Sequence, residues 1–448
     1  MALTLGYERF VRYQTDAPGN TVLVGPDGVI RLGDNPYYQQ ATATGNGDLL
    51  YTFNDHSAVT GISAPVLATD SAITWKGKPT VKITSPSAGT TCGIEKASLS
   101  TRLKTKSVTI PVYIEDYTKV ASIRVYYSQN AALGENYARA DYYLGTNDQQ
   151  QYNGWHIIDL PESVQTAVTT GVAADGTAVQ YIRIDVAPVA GQVAVVRIGE
   201  AILNTRSLPS IIMTFDDGRL SQFENALPIM ARYRIPGTCY VVPPRLGTTG
   251  ATNFMSESQI GVLKGLGWTV GNHAFNASGT TDSYIEMSAG AYYAEVIQCQ
   301  SWLNARGFDG DHHAYVDGKY DGALVDLLIA AGMKTGRTIS GSITTGAQGI
   351  YTGEPLYRRF ALQGGMQMNS SNLVANIKIE IDRAIRDGRS LIITGHDVLT
   401  SNGGGNGATS ILDTDFELLC AHIAAYRANG QCFTESIGDW YRKQAISL

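Results

Sequence analysis

The rhythm of hydrophobic and polar positions changes along the chain and divides it into three parts. From about residue 65 to 205, apolar and polar residues alternate with period two. Val108-Thr109-Ile110-Pro111-Val112-Tyr113-Ile114 and Tyr181-Ile182-Arg183-Ile184-Asp185-Val186 do so, as do 122–127 and 193–198. Alternation at this period sets one face of each strand on a core and the other in solvent. Turn residues follow at short intervals, so an antiparallel sandwich or jelly roll is predicted. After Ser207-Leu208-Pro209 the pattern changes to apolar strands at 211–215, 237–242, 268–271 and 390–394. Helical stretches lie between them at 223–233, 256–266 (Ser256 as N-cap), 284–305, 322–331, 373–386 and 414–428. This alternation implies a parallel sheet, open or closed into a barrel, with chemistry at the strand C-terminal ends. The first 60 or so residues are rich in Gly, Asn, Asp and Thr. There, 21–24 and 29–32 flank Gly25-Pro26-Asp27-Gly28 and read as a β-hairpin.

The reading is therefore a multidomain chain in three parts. Residues 1–64 form a β-rich attachment or oligomerisation segment, and 65–206 an antiparallel β-sandwich. Residues 207–448 form a distorted (β/α) barrel. A length of 448 residues, too long for one ordinary core, agrees with this division. The stretch from Val196 to Leu203 resembles the last strand of carbohydrate-binding-module-like jelly rolls, which leaves the sandwich either a sugar binder or a spacer.

Net charge is −6 and there is no Lys/Arg run, which argues against a nucleic-acid groove or an anionic membrane surface as the main partner. No apolar stretch approaches the length of a membrane span, so membrane insertion is not expected. Met1 to Arg9 lacks a basic start followed by an apolar core and does not read as a secretory signal. The five cysteines are scattered without a CxxC pair, so buried reduced thiols are expected rather than a zinc knuckle or redox motif.

Candidate chemistry collects at predicted strand ends. Asp216-Asp217-Gly218 directly follow an apolar strand, where two adjacent carboxylates need a cation or hydrogen bonds to offset burial. Either one binds a divalent metal while the other accepts a proton, or the pair is a solvated turn. His273 ends a second strand and is either a metal ligand or a satisfied core histidine. His396 ends a third, followed by Asp397, which either orients the imidazole or begins the loop. Polar groups at three strand ends favour one shared site.

These motifs resemble those of the polysaccharide deacetylases of carbohydrate esterase family 4, over residues 209 to 440. Thr214-Phe215-Asp216-Asp217-Gly218 matches the family's first motif and Gly271-Asn272-His273 its second. Ala314-Tyr315-Val316-Asp317-Gly318-Lys319-Tyr320 is similar to a third, with Val316 where proline is expected. Gly332 to Arg337, the strand ending at His396, and Cys432 to Glu435 match later ones. The resemblance implies a distorted (β/α) barrel and a divalent metal, usually zinc, acting on acetylated glycans. It implies Asp216 as general base, His396 as general acid and Arg337 as holder of the Asp216 carboxylate, or else a surface ion pair. It further implies Asp217 and His273 as metal ligands, and a substrate and oxyanion region at Tyr315 and Asp317.

One departure bears on that ligand set. Where the family places another histidine, four or five residues after His273, stand Ala277 and Ser278. Asn276 is the nearest candidate ligand, with Asp282, His312 and His313 further away. A replaced ligand, a weakened metal site and a non-catalytic glycan-binding or virion structural relative all remain open. The domain order and absent signal suit a phage tailspike that modifies an acetylated capsule or O-antigen. Such spikes are usually homotrimers, so a virion tail or extracellular setting is the expectation.

Overall fold

The computed structural model describes residues 12–17, 20–24, 47–86, 89–104, 107–129, 137–143, 153–160, 166–167, 176–204, 208–250, 252–275, 287–339, 359–364, 366–369, 374–400 and 408–445. Arg12–Ala17 and Asn20–Val24 pair as an antiparallel ribbon. The strand expected at 21–24 is therefore present, paired with the segment before it, and 29–32 lies outside the described residues.

The alternating middle of the chain forms two antiparallel sheets around one core. One sheet runs in the order Thr166–Ala167, Tyr137–Tyr143, Val120–Ser128, Tyr181–Pro188, Cys92–Lys96, Thr60–Ile62. The other runs Asp48–Thr52, Glu200–Leu203, Val108–Ile114, Val195–Ile198, Lys78–Thr84, Val66–Trp75, with Gly154–Leu160 also on Val108–Ile114. Val81, Ile110, Val112, Ile123, Val125, Ile182, Ile184 and Val196 meet between them, fully or nearly fully buried. Period-two patterning thus yields a sandwich, as expected. Asp48–Thr52 and Thr60–Ile62, placed by sequence reading in the first segment, are hydrogen-bonded into these sheets. Leu50 and Phe53 join the sandwich core, and this burial is what recruits the segment. The final strand expected through 196–203 breaks at Gly199, where a Cβ would come within 2.7 Å of the Trp75 ring.

Beyond residue 208 every strand pairing in the main sheet is parallel. Its order is Leu362–Gln363, Thr335–Thr338, His312–Ala314, Thr269–Asn272, Gly237–Val241, Ser210–Phe215, Leu391–Gly395, Met366–Gln367, with Phe433–Thr434 also on Ser210–Phe215. The two edge strands are neighbours in sequence. Gly364 between them donates its N–H to Thr338 O and accepts from Thr394 Oγ1. The sheet therefore curls until its two edges meet at one segment, the distorted barrel the pattern implied. The helices fall near their predicted places: Glu257–Gly265, Ala289–Asn304, Gly322–Ala330, Val374–Asp387 and Asp413–Ala428. Ser256 caps the first through a reciprocal box with Gln259. Two short strands, His312–Ala314 and Thr335–Thr338, and the helix Ile437–Ala445 were not anticipated. All five cysteines are buried and unpaired.

Candidate active site

In a parallel sheet all strands end on the same side, so residues just past their C-termini converge. Asp216 follows Ser210–Phe215, His273 follows Thr269–Asn272, Tyr315 follows His312–Ala314, and His396 follows Leu391–Gly395. The sequence enforces these ends locally. Gly271 lies so close to Tyr240 that a Cβ would stand 2.7 Å from its ring. Asn272 donates to Val296 O and Gly310 O and accepts from the Ala274 N–H, which sets the turn behind His273. Gly218, at φ 73°, follows Asp217 at φ 71°, so two successive left-handed residues turn the chain back after the carboxylates.

Asp216 is buried, donates its N–H to Gly395 O and is ion-paired with the fully buried Arg337. Burial pushes its carboxyl upward. Arg337, with His273 and His396 beside it, outweighs that push and holds the group below the usual carboxylate range. Gln222, which sequence reading missed, donates Nε2 to Asp216 O at 2.6 Å and to His396 O at 2.9 Å. Its Oε1 accepts from Cys239 Sγ, so one buried amide joins the first and last motifs. His396 is half-buried, and its charged form lowers the carboxyls of both Asp216 and Asp217.

His273 is buried with Nδ1 2.9 Å from Ala314 O. In the neutral ring that contact requires a proton on Nδ1, leaving a lone pair on Nε2, which stands 3.9 Å from Asp217 Oδ1. Asp217 itself is occupied by cations. Arg219 reaches Oδ2 through Nη2 at 2.9 Å and Nε at 3.1 Å, and Arg245 reaches Oδ1 at 3.2 Å. Burial raises the Asp217 carboxyl, but His273, His396 and Arg219 bring it below its ordinary range. Arg219 also bonds Asp397 at 2.6 Å, and Asp397 accepts from Ser221 at 2.6 Å. Asp397 is therefore engaged by Arg219 and Ser221, where an imidazole-orienting role was one expectation.

The third-motif residues divide between packing and the site. Tyr315 is buried, stacks on Tyr320 and donates its hydroxyl to Phe360 O, so its side chain is taken up by the core instead of facing a substrate. Asp317 is exposed at φ 54°, in a turn closed by Gly318 N–H to Tyr315 O and Lys319 N–H to Val316 O. Val316, standing where proline was expected, has an N–H that proline would lack, and donates it to Tyr292 Oη at 2.9 Å. Tyr292 Oη also lies 3.2 Å from His313 Nε2.

The described residues do not provide the metal site implied by the resemblance. His313 is fully buried with Nδ1 on Asn272 O and Nε2 on Tyr292 Oη, so neither nitrogen is available. His312 points the other way, onto Thr335 Oγ1 and the Tyr441 ring. Adjacent strand residues face opposite sides, and neither of these two reaches Asp217. Asn276, Ala277, Ser278 and Asp282 lie outside the described residues. Among the described residues no three His, Cys, Asp or Glu side chains gather to hold a metal. Asp217 and His273 alone make a weak pair of donors, and Asp217 already carries two guanidiniums.

Comparison with known proteins places residues 204–336 in a match to the family model described as polysaccharide deacetylase, less than a third of the chain. That span includes Asp216, Asp217 and His273 and stops short of Arg337 and His396. No curated protein sequence matches the chain. Among solved structures, the Streptococcus pyogenes deacetylase PplD in complex with acetate is similar at 20% identity, over 29% of this chain and 56% of that one, with a TM-score of 0.27. This chain thus spans little more than half the length of that protein. A family 4 carbohydrate esterase from Streptomyces lividans in complex with acetate is similar at 12% identity, over 50% of this chain and 91% of that one, with a TM-score of 0.31. A structure of carbohydrate-binding modules from the β-sandwich superfamily is similar at 14% identity, over 41% of this chain and 71% of that one, with a TM-score of 0.27.

Proposed function

We propose that the barrel hydrolyses acetyl groups from an acetylated polysaccharide. The observation that carries this reading is the meeting of Asp216, His273, His396 and Arg337 at the C-terminal ends of the parallel strands. Asp216 is the base. Arg337 keeps it ionised in a buried setting, and Gln222 fixes its backbone against that of His396. A water molecule bonds through oxygen to the acetyl carbon and gives a proton to Asp216. The bond from the acetyl carbon to the sugar oxygen or nitrogen breaks, and His396 protonates that leaving atom. The products are acetate and a free hydroxyl or amine. The backbone N–H of Asp317 is the proposed donor to the carbonyl oxygen, with Tyr315 holding the turn from beneath.

The substrate class follows from the same reading: an acetylated bacterial surface polysaccharide such as a capsule or O-antigen. A homotrimeric tail-associated protein remains the setting we propose, with the sandwich beside the enzyme. A second reading, glycan binding without turnover, is favoured by the ion pairing of Asp217.

Acetate release separates the two. Acetylated capsule, lipopolysaccharide and chitooligosaccharides are incubated with the protein and with Asp216→Asn, and free acetate is measured. Release by the wild type alone supports hydrolysis. Binding of the same glycans with no acetate from any of them favours the second reading.

A further inference from the structure

We infer that the guanidiniums of Arg219 and Arg245 stand at Asp217 in place of a divalent cation, so that the centre works without a bound metal. The inference rests on the hydrolytic reading above for its role, and on separate observations for its geometry. Both carboxylate oxygens of Asp217 are taken by guanidinium N–H groups, Oδ2 by Arg219 and Oδ1 by Arg245. Neither arginine is a loose surface side chain: they are 19% and 16% exposed. Arg219 is fixed from its other side by Asp397, which Ser221 holds in turn. Arg245 follows Pro243 and Pro244 in a short 3₁₀ turn just past Gly237–Val241, and lies over the Phe254 ring at 5.7 Å. Its approach to Asp217 is set by the same strand-end geometry that places the other motif residues.

Charge balance points the same way. Asp217 and Asp397 are matched one for one by Arg219 and Arg245, and Asp216 by Arg337. A divalent ion would enter a cluster that is already neutral, against two guanidiniums bonded to the carboxylate it needs. The sequence agrees, since Ala277 and Ser278 stand where the resemblance implies a further imidazole ligand. In a water-excluded cleft a fixed guanidinium supplies oriented N–H donors and a full positive charge, which is what a developing oxyanion requires. Arg219 and Arg245 thus perform the electrostatic part of the reaction, while Asp216 and His396 carry the protons.

The test measures metal directly and does not depend on knowing the substrate. The full chain is equilibrated with 10 µM-range Zn²⁺, desalted, and its zinc content measured by mass spectrometry, alongside Asp217→Asn and His273→Ala. Less than about a tenth of an equivalent per chain in the wild type is the expected result, unchanged in the two variants. About one equivalent, lost in both variants, overturns the inference. Where acetate release is detected, it is measured again after chelator treatment. A rate held within about twofold supports the inference, and a loss of more than about tenfold restored by Zn²⁺ overturns it. Absence of acetate under all conditions would fell the hydrolytic reading, while zinc content would still decide whether the arginines exclude a metal.

Discussion

Lowering the pH from 7 to 4.5 is predicted to weaken the barrel by about 5 kcal/mol through His312 and His313. Burial pushes the first imidazole down from 6.5 to about 4 and the second to about 3. Both are deep in the fold, with their ring nitrogens on Thr335, Asn272 and Tyr292. In the unfolded chain each ring takes up a proton as the pH falls through about 6.5. In the folded chain each stays neutral until the lower value is reached. Between those limits the unfolded state binds more protons, so the stability is intact above about pH 6.5 and declines as the pH falls. At pH 4.5 each group is about two pH units below its unfolded value, and at about 1.4 kcal/mol per unit each contributes roughly 2.5 kcal/mol of loss. The ordinary carboxylates have scarcely begun to titrate there. Urea unfolding sampled by pulsed hydrogen exchange, on peptides spanning Ser210–Phe215 and His312–Ala314, reads the barrel separately from the sandwich. The double variant His312→Gln/His313→Gln is expected to be less stable at pH 7 and nearly flat across this range. A wild-type change below about 1 kcal/mol, or a double variant that keeps the full slope, would refute the reasoning.

Three substitutions probe the packing around the site. Arg337→Leu leaves the Asp216 carboxylate buried without its partner. It should cost about 3–5 kcal/mol in urea unfolding and move the acid limb of the acetate-release profile to higher pH, because burial then dominates Asp216. Gly336→Ala puts a Cβ 2.5 Å from Tyr315 Oη and 2.8 Å from its Cζ. About 1–3 kcal/mol of destabilisation is expected, with Tyr315 displaced from Phe360 O in a crystal structure of the variant. Tyr292→Phe removes the acceptor for the Val316 N–H, and denaturation should report a loss of about 1–3 kcal/mol.

Parts of this fold were legible because burial on both faces writes a plain code. Ile211, Ile212 and Met213, like Leu391, Ile392 and Ile393, are uninterrupted apolar runs, as central parallel strands require. Ser256 with Gln259 marked a helix start to the residue. His312–Ala314 and Thr335–Thr338 escaped because their buried residues are largely polar and satisfy one another, as His312 does with Thr335. No hydrophobic run announces such a strand. The same division holds at the site. Asp216, Asp217, His273, His396 and Arg337 could be named from motifs, whereas Gln222 and Arg245 acquire their contacts only when distant segments meet. Arg219 did carry a local sign, a cation placed directly after two carboxylates and a glycine. Tyr315 was assigned to the substrate region from its motif position, but the fold takes its ring into the core, and only the following turn at Asp317 reaches the surface.

The claim that Asp216 and His396 act as one proton-transfer unit is tested most directly by a double-mutant cycle on acetate release. Rates are measured for the wild type, Asp216→Asn, His396→Gln and the double variant on one acetylated polysaccharide that the wild type turns over. Each single change should lower the rate at least about 100-fold, and the double variant should fall little further than the worse single, because either loss disables the same step. Acetate release that survives both single changes, or losses that multiply independently, would contradict the account.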